Sequence, residues 1–313
     1  MRLCTVDTPG GRPVVGVVIA HQVWALPDEV AAQLDARQPM LDLIERWDAF
    51  SAPLHSWAAS VAIVTDPSGQ GGAPATLLGH ADRSDGLHLL APIPRPGKLL
   101  AIGLNYLDHV NERIIGETRT VPEHQLWFTK LGNAVHGPFD PVVLPSVSDK
   151  TDYEGELVAV IGQRCKKVPA ERAHEVVFGY CVGNDVSVRD WQKRTSQWML
   201  GKSFDTHAPF GPWITTADEL GDPHRLDLNC WVNGELRQTT NTRLMIHNVW
   251  DQIALLSQAM TLEPGDVIFT GTCSGVGAAF EPPKFLRAGD RVRVEIEQLG
   301  AIEASFVAED TAR

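Results

Sequence analysis

The stretch TDYEGELVAVIG, residues 151–162, decides the fold class. From Leu157 to Ile161 it is an unbroken apolar run of strand length, closed by Gly162. Such a run predicts a central strand buried on both faces. It opens, however, with Glu154 and Glu156, two residues apart. Successive strand side chains alternate faces, so these two carboxylates point the same way. Like charges brought together in an apolar setting must take up a proton or share a cation. A hard divalent cation, Mg²⁺ or Mn²⁺, is the simplest solution, because both prefer oxygen ligands. Glu-x-Glu by itself also describes an exposed strand face, and only the LVAVI run argues for burial.

Working outward, the chain holds many short apolar runs: PVVLP, FGYCVGND, LDLNCWVNGELR, GDVIFTGT and DRVRVEIEQLG. Asn233-Gly234 inside VNGE predicts a two-residue hairpin turn. One clear amphipathic helix is expected over 245–260. Many strands and few helices predict an α+β, mainly β fold: a mixed β-sandwich or roll. Residues 1–92 read as a small N-terminal α/β domain. It has a hairpin from VVGVVIA to VWALP, one or two amphipathic helices, and a mobile Gly/Pro/Ser loop over 66–76. Prolines 92, 94 and 96 form a joint, and residues 96–313 form the main domain.

The 313 residues carry 27 Lys and Arg against 39 Asp and Glu, a formal charge of −12. This balance argues against a broad nucleic-acid surface and leaves room for a local cationic pocket. No apolar run is long enough to span a membrane, and the N-terminus lacks a signal-peptide core. The five cysteines are scattered without a C-x-x-C pair, as expected of reduced thiols in a cytoplasmic protein.

Other segments add chemistry. In FGYCVGNDVSVRDWQKR a strand ends near Asp185 and a helix is expected to follow. Asp185 is then either a helix N-cap or a third acid beside the pair. Arg189 and Gln192, at +4 and +7, share its helical face and suit an anion pocket. The alternative is a surface Asp–Arg pair. Lys202, among Gly, Phe, Pro and Trp, is either a surface lysine or a buried one needing an anionic partner. His109 and Glu112 are neighbours on a helix. They form either an exposed face or a general base with its orienting carboxylate, on an element able to close over a site. Asp108 is expected to be structural. The loop IFTGTCSGVG is either a tight turn or a nest whose N–H groups and Thr272 hold a carboxylate.

Six stretches together, GLNYLDHVNE, DYEGELVAVIG, GYCVGNDVSVRDWQ, GKSFDTHAPFGPW, VNGELRQ and GDVIFTGTCSGVG, resemble the fumarylacetoacetate hydrolase superfamily. The resemblance covers about residues 96–313. It is nearest the acylpyruvate hydrolase and hydroxymuconate isomerase–decarboxylase branch. It implies the family's mixed β-sandwich roll, as a homodimer. It implies that Glu154, Glu156 and Asp185 hold Mg²⁺ or Mn²⁺ with Lys202 beside the metal. It further implies that Arg189 and Gln192 contact substrate, and that His109 and Glu112 are the catalytic pair on a lid. Where the family usually reads TGTP this chain has Thr270-Gly271-Thr272-Cys273. The activity implied is hydrolysis of a C–C bond in an acylpyruvate-type 1,3-dicarbonyl acid, a small anionic oxo acid. The alternatives are oxaloacetate-type decarboxylation, hydroxymuconate-type isomerisation, dehydration of a sugar acid, and a non-catalytic metal or oxo-acid binding protein.

Overall fold

The computed structural model of the chain describes residues 1–64, 75–81, 83, 86–113 and 120–310. Most of the Gly/Pro/Ser loop expected over 66–76 lies outside these residues. The Gly155–Ile161 strand runs through the middle of a 12-stranded sheet and every residue in it is buried. It pairs antiparallel with Val177–Asn184 on one side and Val267–Phe269 on the other. A central position leaves neither edge nor face to water, which explains the continuous apolar run. Leu157, Ala159 and Ile161 face a core shared with the second sheet, through Cys230, Val294 and Phe306. Val158 and Val160 face the opposite core with Phe210, Phe269 and the N-terminal residues Leu3, Met40 and Leu43.

The second sheet has five strands, in the order Glu235–Asn241, Asp227–Val232, Arg291–Ile296, Gly300–Ala308 and Val142–Leu144. Its hairpin turns at Asn233 and Gly234, with φ of +52° and +81°. Two consecutive positive φ values are what a two-residue hairpin with the correct twist requires. The sheets pack face to face, as the mainly β, α+β expectation requires. Residues 1–92 supply a hairpin, Val14–Ile19 with Gln22–Ala25, and the helices Asp28–Ala31, Pro39–Glu45 and Trp47–Val64. Their strands prolong the large sheet, because Arg2–Val6 pairs with Ala208–Thr216.

Two local expectations differ from the structure. The helix expected from Asn105 onward is confined to Leu107–Val110. Asn105 is buried, its amide donating to the Thr270 and His247 carbonyls, and Tyr106 bridges to Met245. These ties hold the chain extended up to the helix. The helix expected over 245–260 is Val249–Ala259, because Met245 and Ile246 are used in the same junction. Asn248 and Asp251 then form a capping box at its start. Among the described residues no helix is long and apolar enough to cross a membrane.

Candidate metal and catalytic site

The ends of four neighbouring strands meet at one edge of the large sheet. Leu99–Gly103 runs parallel to Val267–Phe269, so the segments 104–109 and 270–272 leave the sheet together. Gly155–Ile161 is antiparallel to Val267–Phe269 and therefore begins at the same end. Its register with the next strand sets Gly155 opposite Asn184. Glu154 thus falls beside Asp185, whose N–H donates to the Glu154 carbonyl at 2.8 Å. The period of two brings Glu156 to the same face. Glu154, Glu156 and Asp185 are all buried, and one carboxylate oxygen from each lies within 4.8 Å of the others.

Cationic side chains neutralise most of this charge. Lys202 donates to Glu154 Oε2 at 2.7 Å and to Asp185 Oδ2 at 2.6 Å. Lys130 donates to Asp185 Oδ1 at 2.6 Å. Arg189 donates to Glu154 Oε1 at 2.5 Å and to Asp152 Oδ2 at 2.8 Å. Glu156 differs: it accepts from the Gly271 N–H at 2.7 Å and, among the described residues, has no cationic side chain in hydrogen-bond contact. Gly271 can make this approach because its φ is +96°. Four carboxylates therefore face three cations, with Glu156 the one in excess. Burial works against the Glu154 charge, but Lys202 and Arg189 beside it hold its carboxyl well below the usual range. Burial pushes the Glu156 carboxyl well above that range, and the charges of Asp185 and Glu154 push it further. Three buried oxygen donors with one uncompensated charge fit a hard divalent cation such as Mg²⁺ or Mn²⁺.

Above this cluster lies a 260 Å³ cavity, lined by Ile102, Gly103, Leu104, His109, Phe128, Glu154, Arg189, Gln192, Lys193, Trp198, Lys202 and Thr272. His109 is buried, and its Nδ1 lies 2.8 Å from Glu112 Oε2. Glu112 also accepts from the Gly275 N–H at 2.6 Å, and Asp108 accepts from the Ser274 hydroxyl at 2.8 Å. The short helix is thereby docked on the 270–277 loop, and Asp108 is one of its fastenings, as a structural residue would be. The lid expected here extends beyond Arg113 into residues outside the description. Thr272 is committed to the scaffold: its hydroxyl donates to the Gly155 carbonyl and accepts from Gln238.

The structure brings all nine expected residues into one neighbourhood, with two corrections to how. Asp185 does not cap or begin a helix: Ser187–Val188 pairs with Thr151–Asp152, and only then does Arg189–Gln192 turn helical. Asp185 therefore does not share a helical face with Arg189 and Gln192. Arg189 is also not a freely presented anion binder: Asp152, Glu154 and Gln192 take its Nε and Nη1, leaving Nη2 buried without a partner among the described residues. Asp152, Lys130 and Gln238 went unrecognised in the sequence. Asp152 carried a signal, since it continues the alternating row Asp152, Glu154, Glu156. Lys130 carried a weak one, a lone lysine closing the LWFT strand. Gln238, which accepts from the Gly155 N–H at 2.9 Å and donates to the Thr272 hydroxyl and Cys273 carbonyl, carried one only as the last residue of the VNGELRQ stretch.

Comparison with known proteins bears on these contacts. The family model described as fumarylacetoacetate (FAA) hydrolase C-terminal matches residues 98–307. The human mitochondrial oxaloacetate tautomerase FAHD2A is 47% identical over 215 residues, 68% of this chain and 67% of that protein. The structure of maleylpyruvate hydrolase from Sphingobium sp. SYK-6, in complex with manganese (II) ion and pyruvate, superposes with a TM-score of 0.78 at 33% identity, covering 99% of this chain and all of that one. The 5-carboxymethyl-2-hydroxymuconate delta-isomerase from Mycobacterium smegmatis superposes with a TM-score of 0.71 at 32% identity, with the same coverage.

Proposed function

Because this chain belongs to the fumarylacetoacetate hydrolase family and is an enzyme of it, we propose that it transfers a proton at the carbon beside the ketone of a small 2-oxo diacid. The reaction is keto–enol interconversion of an oxaloacetate-type substrate. The observation that carries this reading is that His109, held by Glu112, lines the same small cavity as Glu154, whose buried carboxylate clusters with those of Glu156 and Asp185. The 45–47% identity to proteins named oxaloacetate tautomerases supports the choice of substrate class.

Glu154, Glu156 and Asp185 would hold Mg²⁺ or Mn²⁺, which supplies the positive charge that stabilises an enolate oxygen. Lys202 fixes the orientation of the Glu154 and Asp185 carboxylates, and Lys130 that of Asp185. Glu112 accepts from Nδ1–H of His109 and so makes Nε2 the basic nitrogen of the ring. His109 then takes the proton from carbon and its imidazolium is stabilised by Glu112. The proton returns at oxygen to give the enol. Arg189, through Nη2, and Gln192 would meet the distal carboxylate. Phe128, Trp198, Ile102 and Leu104 exclude water from the other side.

A second reading, hydrolysis of an acylpyruvate with His109 activating a water, is favoured by the maleylpyruvate hydrolase structure. The homodimer and the reducing cytoplasmic setting belong to the same proposal. Leu107 and Leu200, 54% and 56% exposed, sit on the short helices that carry His109 and Lys202 and suit a partner surface. All five cysteines are buried and unpaired, in keeping with a reducing compartment.

The test is His109→Ala with added Mn²⁺, assayed for oxaloacetate enolisation and for cleavage of acylpyruvates. The tautomerase reading expects turnover of oxaloacetate in the parent protein and a loss of about 10²–10⁴ in kcat in the variant. Cleavage of acylpyruvates without oxaloacetate turnover would replace it with the hydrolase reading. Undiminished turnover in the variant would remove His109 from both.

A further inference from the structure

A second cavity, 600 Å³ in volume, lies between Thr5 and Arg95 and shares no lining residue with the cavity at His109. Its floor is apolar: Met40 and Ile93 are each 1% exposed, and Leu41 and Leu90 extend it. Its rim carries Arg12, Arg37 and Arg95, all exposed. Their side chains have no ion-pair or hydrogen-bond partner among the described residues. Many other surface arginines are paired with acids, although Arg243, also exposed, has no side-chain partner among the described residues. Arg46, Arg164, Arg172, Arg225, Arg291 and Arg293, all on the surface, each meet a carboxylate. With 39 acidic residues against 27 basic ones, carboxylates are in excess. Three arginines around one cavity without an acid among them run against that balance.

Guanidiniums lining one cavity repel one another when they approach, and a bound oxyanion relieves such repulsion while gaining bidentate hydrogen bonds. Arginine fits planar carboxylate and tetrahedral phosphate oxygens equally. An apolar floor below such a rim selects a ligand with an apolar body, and the volume falls in the usual range for small-molecule sites. The cavity is also tied into the frame of the protein. The Thr5 hydroxyl donates to the Pro92 carbonyl at 2.6 Å, and the chain from Ile93 to Arg95 leads into the Leu99–Gly103 strand.

We propose that this cavity is a second binding site, for an organic anion with a multiply charged oxyanion head, phosphate or dicarboxylate, on an apolar body. The inference is independent of the reaction proposed above. The experiment is calorimetric titration of the full-length protein at low ionic strength with phenyl phosphate, benzylsuccinate and, as reference, inorganic phosphate. The parallel titration uses the triple variant R12Q/R37Q/R95Q. Because these side chains are exposed and remote from the His109 cavity, the variant is expected to fold and to keep its turnover. The site predicts that one organic probe binds saturably, about tenfold or more tighter than inorganic phosphate, and that the variant weakens it by at least about tenfold. Which probe binds identifies the head group. The proposal is overturned if neither probe exceeds inorganic phosphate, or if the triple variant binds as the parent does.

Discussion

Replacing Glu156 by Gln separates a metal ligand from a structural acid by the sign of its effect. Glu156 is buried and has no cationic partner in hydrogen-bond contact among the described residues. Its neighbours Glu154 and Asp185 each offer an oxygen within 4.8 Å, so each pair repels by about 3.5 kcal/mol at an effective dielectric constant of about 20. Protonation limits what this can cost. However far burial and its neighbours raise the carboxyl above its ordinary 4.5, the cost at pH 7 cannot exceed about 3.4 kcal/mol, the cost of protonating it outright. A glutamine keeps the oxygen that accepts from Gly271 and discards the charge. The metal-free variant is therefore expected to be more stable than the parent by about 1–3 kcal/mol at pH 7. The sign of the pH dependence follows. A carboxyl whose folded value is raised loses stability as pH climbs from its unfolded value, so the gap should close towards pH 4.5. With Mn²⁺ the order should reverse, since losing a ligand should weaken binding at least as much as the ten- to hundredfold known for residues that merely support one. The assay is urea unfolding in chelator and in Mn²⁺. Equal destabilisation in both conditions would refute the reasoning.

Three further outcomes are expected. Lys130→Met leaves one oxygen of the buried Asp185 without its cation and should cost about 3 kcal/mol in urea unfolding, the low end for a broken buried pair because Lys202 still holds the other oxygen; a loss below about 1 kcal/mol would argue against it. His207 donates through Nε2 to the Val143 carbonyl, its Nδ1 is buried without a partner, and burial holds its pKa down to about 3. The folded protein resists protonation there while the unfolded chain does not, so stability should fall by about 2 kcal/mol between pH 6.5 and 5, and His207→Gln should remove that part of the slope. A Cβ on Gly103 would lie 2.5 Å from the Trp198 ring, so Gly103→Ala must displace the wall of the His109 cavity; kcat/KM for the 2-oxo acid should fall while Trp198→Ala admits bulkier analogues, and an unchanged substrate profile in both variants would contradict Trp198 as that wall.

Much of the site could be read in the sequence because strand periodicity is short-range. Glu154 and Glu156 share a face by the same alternation that sorts Leu157 from Val158 into different cores. The Asn233-Gly234 turn was equally local, since few residues accept two positive φ values in succession. What could not be read depends on partners distant in sequence. Nothing in LWFTK says that Lys130 will meet Asp185, since that contact needs the Leu126–Thr129 strand placed near the end of Val177–Asn184. Nor does the first strand announce that it will pair with Ala208–Thr216. The helix misplaced at Asp185 has the same origin. Local pattern favoured helix there, and pairing of Thr151–Asp152 with Ser187–Val188 prevailed. The same pairing sets Arg189 against Asp152, which is why that arginine serves the carboxylates more than an incoming anion.

The central claim is that carboxylates from two separate strands serve one divalent ion. A crystal grown with Mn²⁺ and oxalate, with data collected at the manganese edge, tests it most directly. The account predicts one strong anomalous peak with oxygens of Glu154, Glu156 and Asp185 at about 2.1–2.2 Å and the oxalate completing its coordination in the His109 cavity. A peak elsewhere, or no peak with the three carboxylates still held by Lys130, Lys202 and Gly271, would contradict it.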